Sequence, residues 1–268
     1  MQSLNTHSIN TGLIPTNKIT RYFRIGRIFT HTLAGVIIAS SVLPLASKPL
    51  KLRIIKWWCT SLLAAFNIRV ISHGHIPQAH ESLKTTMFVA NHISWTDIHA
   101  LNSIVTLRFI AKSEIRSWPV FGYLTSKANA LFIDRAKRQD AARIVNTAAQ
   151  SLESGDNLCF FPEGTTTDGT EIKHFKSSLI QAAIQANATI CPVAIRYPNP
   201  NGSINTGVAY AGETTMRESM LQILSQKLPV VELHFLAPII IAELAEQDKD
   251  RRVLTQHIEY LIRNTLDL

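Results

Sequence analysis

The chain has 268 residues, 46% of them apolar, which suits one globular core with a short extension. Its three cysteines, Cys59, Cys159 and Cys191, are odd in number, widely spaced and without a CxxC, which suggests neither a disulfide framework nor a zinc site and reads most simply as reduced thiols in a cytosol-facing protein. The net charge of +8 is uneven: residues 1–80 hold nine Lys or Arg and no Asp or Glu, while the remainder nearly balances.

The basic residues flank a greasy run. Lys18, Arg21, Arg24 and Arg27 precede twenty residues free of Lys, Arg, Asp and Glu, and Lys48, Lys51, Arg53 and Lys56 follow them. This arrangement suits an anionic membrane surface and disfavours nucleic acid, whose partners line a polar face with charge. The run is about long enough to span a bilayer, which takes roughly 20 residues. Charge on both flanks gives no inside–outside asymmetry, so the reading is two helices embedded in one leaflet, bent near Ser40-Ser41 and Pro44, with one true crossing as the alternative. Trp57 and Trp58 beside Lys56 suit the headgroup layer. A cleaved leader is disfavoured, because the basic start is late and no small-x-small site follows. Residues 1–66 are therefore expected to be a membrane-anchoring helical segment and 67–268 a catalytic domain, on the cytoplasmic face of a membrane, bacterial inner membrane included.

Beyond residue 80, strand-like and helical patterns alternate. Strands are predicted at Thr85–Ala90, Leu107–Ala111, Ala130–Ile133, Leu158–Phe161, Thr189–Arg196, Gly207–Ala211 and Val230–Leu236. Helices are predicted near 95–104, 139–152, 175–186, 216–226 and 249–265. The expected fold is α/β, a mixed, largely parallel sheet flanked by helices and preceded by the N-terminal membrane-embedded helices. Ligand sites in such folds gather at the carboxyl ends of strands. Three of these ends carry polar chemistry: Asn91-His92, Asp134-Arg135 and Pro162-Glu163-Gly164-Thr165.

His92 and Asp97 are five residues apart, about 140° around a helix, so they meet only if His92 precedes the helix and Asp97 lies in its first turn. Ser94 is the expected N-cap. Asp97 could then hold one imidazole nitrogen and leave the other for substrate, a base with its orienting carboxylate. No GxSxG serine occurs, so a substrate hydroxyl would have to serve as the nucleophile. Read alone, the same residues also fit a capped helix beside a strand-end histidine. Phe161-Pro162-Glu163-Gly164-Thr165 fits either a turn or a polar substrate pocket. Arg135 fits either a surface charge or a phosphate ligand.

NHISWTD, FIDR and FPEGT, in that order and at these intervals, resemble the glycerolipid acyltransferase family, best known for its 1-acyl-glycerol-3-phosphate acyltransferases. The resemblance covers residues 70–215. It implies His92 as general base and Asp97 as its partner, Arg135 as glycerophosphate ligand, and Phe161, Pro162, Glu163, Gly164 and Thr165 as the substrate-binding block. Lys112 and Pro192 also fall on positions the family keeps. The implied reaction moves a fatty acyl group from acyl-CoA or acyl carrier protein to the hydroxyl of a lysophospholipid, with no cofactor and no metal. Lysophosphatidate is the first acceptor expected and a lyso-aminolipid the second. Two positions depart from the family: Thr166 stands where many relatives have arginine, and Asn129-Ala130 where many have glycine. Lys173, His174 or Lys176 are candidates to replace that arginine. A hydrolase using water, and a lipid-binding protein without catalysis, are the rival classes.

Overall fold

The computed structural model describes residues 12–75, 85–134 and 138–268, and of residues 138–141 the backbone alone. Two long helices open it, α1 (Lys18–Ser41) and α2 (Lys48–Phe66), antiparallel through a turn that contains Pro44. The bend falls after Ser40-Ser41, whose hydroxyls bond back to the Val36 and Ile37 carbonyls and leave the helix intact. Gly35 permits the close approach of the two helices: a Cβ there would sit 2.5 Å from Trp58 Nε1. Among the described residues no helix is long and apolar enough to cross a membrane.

The strands are β1 (Arg69–Gly74), β2 (Thr86–Ala90), β3 (Arg108–Lys112), β4 (Leu131–Ile133), β5 (Leu158–Phe160), β6 (Thr189–Arg196), β7 (Val230–Phe235) and β8 (Ile239–Ile240). They form one sheet in the order β1-β7-β6-β2-β5-β3-β4, with β8 also on β6. Only the β6–β7 and β6–β8 pairs are antiparallel, so the sheet is mixed and largely parallel. The remaining helices are α3 (Thr96–Ile104), α4 (Phe121–Lys127), α5 (Arg138–Glu153), α6 (Ile180–Gln185), α7 (Met216–Ser225) and α8 (Arg251–Leu266).

Alternation along the central strands divides the core in two. Phe88, Ala90, Cys191, Val193 and Ile195 face one side, with Leu62, Leu63 and Phe66 of α2 and Leu101 of α3. Met87, Val89, Ile190 and Ala194 face the other, with Ala148 and Leu152 of α5, Ile180 of α6 and Ile258 of α8. The hairpin is also tied down by buried Arg24, whose Nη1 and Nη2 donate to the Gln226 and Lys227 carbonyls at 2.8 and 2.7 Å, just beyond the end of α7. The three cysteines are buried and unpaired, and burial pushes the Cys59 and Cys191 thiols up to about 12. Neither is a ready thiolate.

Several expected elements differ. Gly207–Ala211 is not a strand: residues 206–208 form a 3-10 turn, and the Tyr210 amide bonds to the Ile93 carbonyl at 2.9 Å instead of a sheet neighbour. The helix expected over 175–186 starts only at Ile180. Before it the chain is irregular and tied to its neighbours, the amides of Lys173, Phe175 and Lys176 donating to Glu163, Glu259 and the Pro162 carbonyl. Ser94 is not the cap of α3. That position is Trp95, and the Ser94 hydroxyl only accepts a long 3.4 Å contact from the Thr96 amide.

Candidate active site

The β2 ladder ends at Ala90, and the next residue continues it with a side chain. Buried Asn91 bonds both polar groups of Ile195, accepting from its amide at 2.7 Å and donating to its carbonyl at 3.0 Å. Its own backbone is thereby released to turn out of the sheet at His92. The turn is closed by Asp97, in the first turn of α3 and fully buried. Asp97 Oδ2 accepts from His92 Nδ1 at 2.8 Å and from the backbone amides of Ile93 and Ser94 at 2.8 and 2.9 Å.

The fourth partner is a residue the sequence analysis did not single out. Tyr197 follows β6, is 1% exposed, and donates its hydroxyl to Asp97 Oδ1 at 2.6 Å. Thr96 Oγ1 stands 2.7 Å from the same hydroxyl oxygen and completes the chain by donating to it. Burial and the adjacent Asp97 charge push the Tyr197 phenol up, so it stays a donor. A lone tyrosine after a buried strand carries no pattern from which this contact could be read.

The second block meets the first. The Phe161 ring stacks on His92 with centroids 3.7 Å apart and planes within 6°. Together with the Asp97 bond this fixes the imidazole in two directions, and Nε2 is the ring nitrogen left for a substrate proton. Pro162 is buried, and Gly164 takes φ +76°, a left-handed turn that suits glycine. Thr165 is exposed and lines the cavity at His92. Thr166 gives its hydroxyl to the Tyr210 carbonyl, so it is committed to holding the loop.

Glu163 is 3% exposed and braces the turn: Oε1 accepts from the His92 amide at 2.7 Å and Oε2 from the Lys173 amide at 2.9 Å. Burial pushes its carboxyl up from 4.5 to about 7, with the two amides pulling down and the Asp97 charge adding to the rise. A raised folded-state value stabilises fully below about 4.5, and the contribution is lost as pH rises to about 7. The Tm advantage of the parent over Glu163→Gln should therefore shrink between pH 5 and 8. A difference that stays constant across that range would mean Glu163 does not titrate there.

A cavity of about 440 Å³ opens beside His92, lined by Trp95, Phe109, Lys112, Glu114, Thr165 and Met216 among others. A second, almost wholly apolar cavity of about 180 Å³ runs between the helical hairpin, α3 and α4. The two share Trp95, Ile98, Phe109, Ala111, Ile115, Trp118 and Met216, so a polar mouth leads to a greasy interior. His99 lines the inner cavity, and burial lowers it to about 4, leaving it neutral.

Of the expected phosphate ligands, Arg135 lies outside the described residues. Lys112, at the end of β3, lines the mouth. Lys173, His174 and Lys176 are exposed and line neither cavity, because this segment is drawn toward α8, where His174 Nδ1 meets Glu259 at 3.1 Å. They do not stand in for the missing arginine. Pro192 sits inside β6, on the ladder to β2, and its carbonyl accepts from Leu236 at 3.0 Å. It is part of the scaffold.

Residues 67–196 match the Acyltransferase family profile. The chain is 34% identical to a lyso-ornithine lipid O-acyltransferase of Pseudomonas aeruginosa, over 81% of this chain and 80% of that one. It is 36% identical to a 1-acyl-sn-glycerol-3-phosphate acyltransferase of Neisseria gonorrhoeae, over 69% and 71%. The fold matches the crystal structure of the 1-acyl-sn-glycerophosphate acyltransferase of Thermotoga maritima with a TM-score of 0.62, at 21% identity, covering 91% of this chain and 96% of that one.

Proposed function

The chain belongs to the acyltransferase family, and from that premise we propose that it transfers a fatty acyl group from an acyl thioester to the free hydroxyl of a lysolipid, with His92 as the base. The observation that carries this reading is the fixed His92–Asp97 pair at the meeting of a polar mouth and an apolar cavity. His92 Nε2 takes the proton of the acceptor hydroxyl as its oxygen attacks the thioester carbonyl. Asp97 holds the tautomer and offsets the imidazolium charge. The tetrahedral intermediate collapses, and the thiolate leaves with the proton from His92. The products are the diacyl lipid and the free thiol of coenzyme A or acyl carrier protein. No bound cofactor or metal enters these steps. The apolar cavity takes an acyl chain.

Lysophosphatidate is the first acceptor proposed, with Lys112 at the mouth facing the phosphate and Arg135 as its second ligand. A lyso-aminolipid acceptor such as a lyso-ornithine lipid is favoured by a separate observation. Thr166 is tied to Tyr210, and Glu114 lines the mouth with Lys112, so one cation and one carboxylate face the headgroup. The deciding experiment measures thiol release from palmitoyl-CoA and oleoyl-CoA with each lysolipid and with none. Release dependent on either lysolipid supports acyl transfer and identifies the headgroup. Equal release without an acceptor would make the protein a hydrolase.

The helical hairpin is proposed to lie in the interfacial layer of a membrane, with the catalytic cavity opening toward the lipid it draws on. Ile19, Tyr22, Phe23, Phe29, Leu33, Ile37, Leu45 and Trp57 are all more than half exposed, and the hairpin is rich in Lys and Arg. Replacing Phe23, Phe29 and Ile37 with serine should leave the protein in the supernatant of anionic vesicles that pellet the parent. A triple variant that still sediments would remove the hairpin as anchor.

A further inference from the structure

We infer that His73, Glu232 and His234 form a binding site for a divalent transition-metal ion at the edge of the sheet, apart from the acyl-transfer site. β1 is the edge strand and runs parallel to β7, with His73 and His234 in register. Their side chains leave the same face, and Glu232, two residues earlier on β7, leaves it too. The two imidazoles stack with centroids 4.5 Å apart, and His234 Nε2 lies 3.6 Å from Glu232 Oε2. One donor atom from each of the three residues falls within 4.8 Å of the others. Zinc-to-donor bonds of about 2.0–2.2 Å require donors somewhat closer than this. His73 is exposed and the other two are half-buried, which leaves their side chains room to turn toward a shared ion.

The backbone holds the three residues in place. Gly74 takes φ +80°, and a Cβ there would meet the Phe235 carbonyl oxygen at 2.0 Å. Only glycine lets β1 stay on β7 one residue past His73, which keeps that histidine seated against His234. The donor set of two imidazoles and one carboxylate suits zinc and the other late first-row transition metals, and magnesium and calcium poorly. Three protein donors leave a coordination position for water. The neighbouring cation is Arg196, in register with Glu232 on β6, and its Nη2 is drawn to the Gly202 carbonyl at 2.7 Å. None of the three donors lines the cavity beside His92, and they leave the sheet face opposite Val231, Leu233 and Phe235, which pack under α2 and α3. A bound ion would thus clamp β1, the strand that follows the helical hairpin, to the body of the sheet.

The test uses the full chain in detergent, treated with a chelator, dialysed and titrated with Zn²⁺ by calorimetry, with thermal unfolding alongside. One ion should bind, and Tm should rise with zinc concentration, as for any ligand that prefers the folded state. His73→Ala and His234→Ala should each weaken binding by at least the roughly 10–100-fold that loss of even a supporting group costs. Their metal-free turnover should equal that of the parent, which also establishes that they fold, and Glu232→Gln supplies a third, milder variant. The inference is overturned if the parent shows no zinc-dependent heat or Tm rise, if the His73→Ala/His234→Ala double variant binds as the parent does, or if Mg²⁺ reproduces the effect.

Discussion

Replacing His92 with alanine should lower turnover by about 10²–10⁴-fold, the usual cost of losing a general base. The protein should remain folded. The imidazole sits at the mouth of a cavity with its side chain 17% exposed, so its removal opens no sealed void. The bond from the residue-92 amide to Glu163 and the contact from the Thr167 amide to the residue-92 carbonyl at 2.9 Å do not involve the ring. What is lost beyond the base is the stacking contact with Phe161, worth about 0.5–1.5 kcal/mol, and one of the four hydrogen bonds on Asp97, whose carboxylate keeps the Ile93, Ser94 and Tyr197 donors. The check is kcat beside a thermal melt: a large fall in kcat with a small shift in Tm. Near-normal kcat would remove His92 from the chemistry.

Asp97→Asn should be about as damaging to turnover, by up to about 10⁴-fold, and more damaging to stability. The carboxylate accepts four hydrogen bonds, three on Oδ2 and one on Oδ1. An amide accepts on one atom and donates from the other, so either the Tyr197 hydroxyl or the group of His92, Ile93 and Ser94 donors loses its acceptor and faces an N–H. If the amide nitrogen faces His92 Nδ1, it also imposes the wrong tautomer and leaves the proton on Nε2, where the acceptor hydroxyl needs a base. An unsatisfied buried donor costs about 1–3 kcal/mol, so the melt should drop visibly. Tyr197→Phe is the control: it removes the Oδ1 bond and the Thr96 contact but leaves the His92 bond on Oδ2, and should lose much less turnover. If Asp97→Asn matched the parent in kcat, the orienting role would be gone, whatever became of its stability.

The sequence carried the chemistry further than the architecture around it. The five-residue spacing of His92 and Asp97 allowed a meeting across a strand–helix turn without requiring it, and the resemblance to the acyltransferases singled the pair out; the chain folds that turn with Asp97 as its buried centre. The central strands were legible as short apolar runs. β1 was missed because RVISHG is a half-exposed edge strand with no apolar run, and α4 because seven residues give no helical periodicity. The block from Phe161 to Thr165 was named as substrate-binding, but its nearest visible work is different: Phe161 stacks on the imidazole and Glu163 holds the His92 amide. Those contacts join residues some seventy positions apart, and no local pattern encodes them. Tyr197, a hundred residues from Asp97, was invisible for the same reason. The segment after Gly164 was misread in the other direction: FKSSLIQAAIQA favours a helix locally, while the structure holds its first residues against Glu259 and Pro162 and begins the helix at Ile180.

The most direct test of acyl transfer follows both products in one tube: free thiol and diacyl lipid, from radiolabelled oleoyl-CoA and a saturating lysolipid acceptor, with the parent protein and with His92→Ala. The account predicts one mole of acylated lipid for each mole of thiol, almost no thiol release when the acceptor is left out, and neither product from the variant. Free fatty acid in place of acylated lipid, or equal product from the variant, would contradict it.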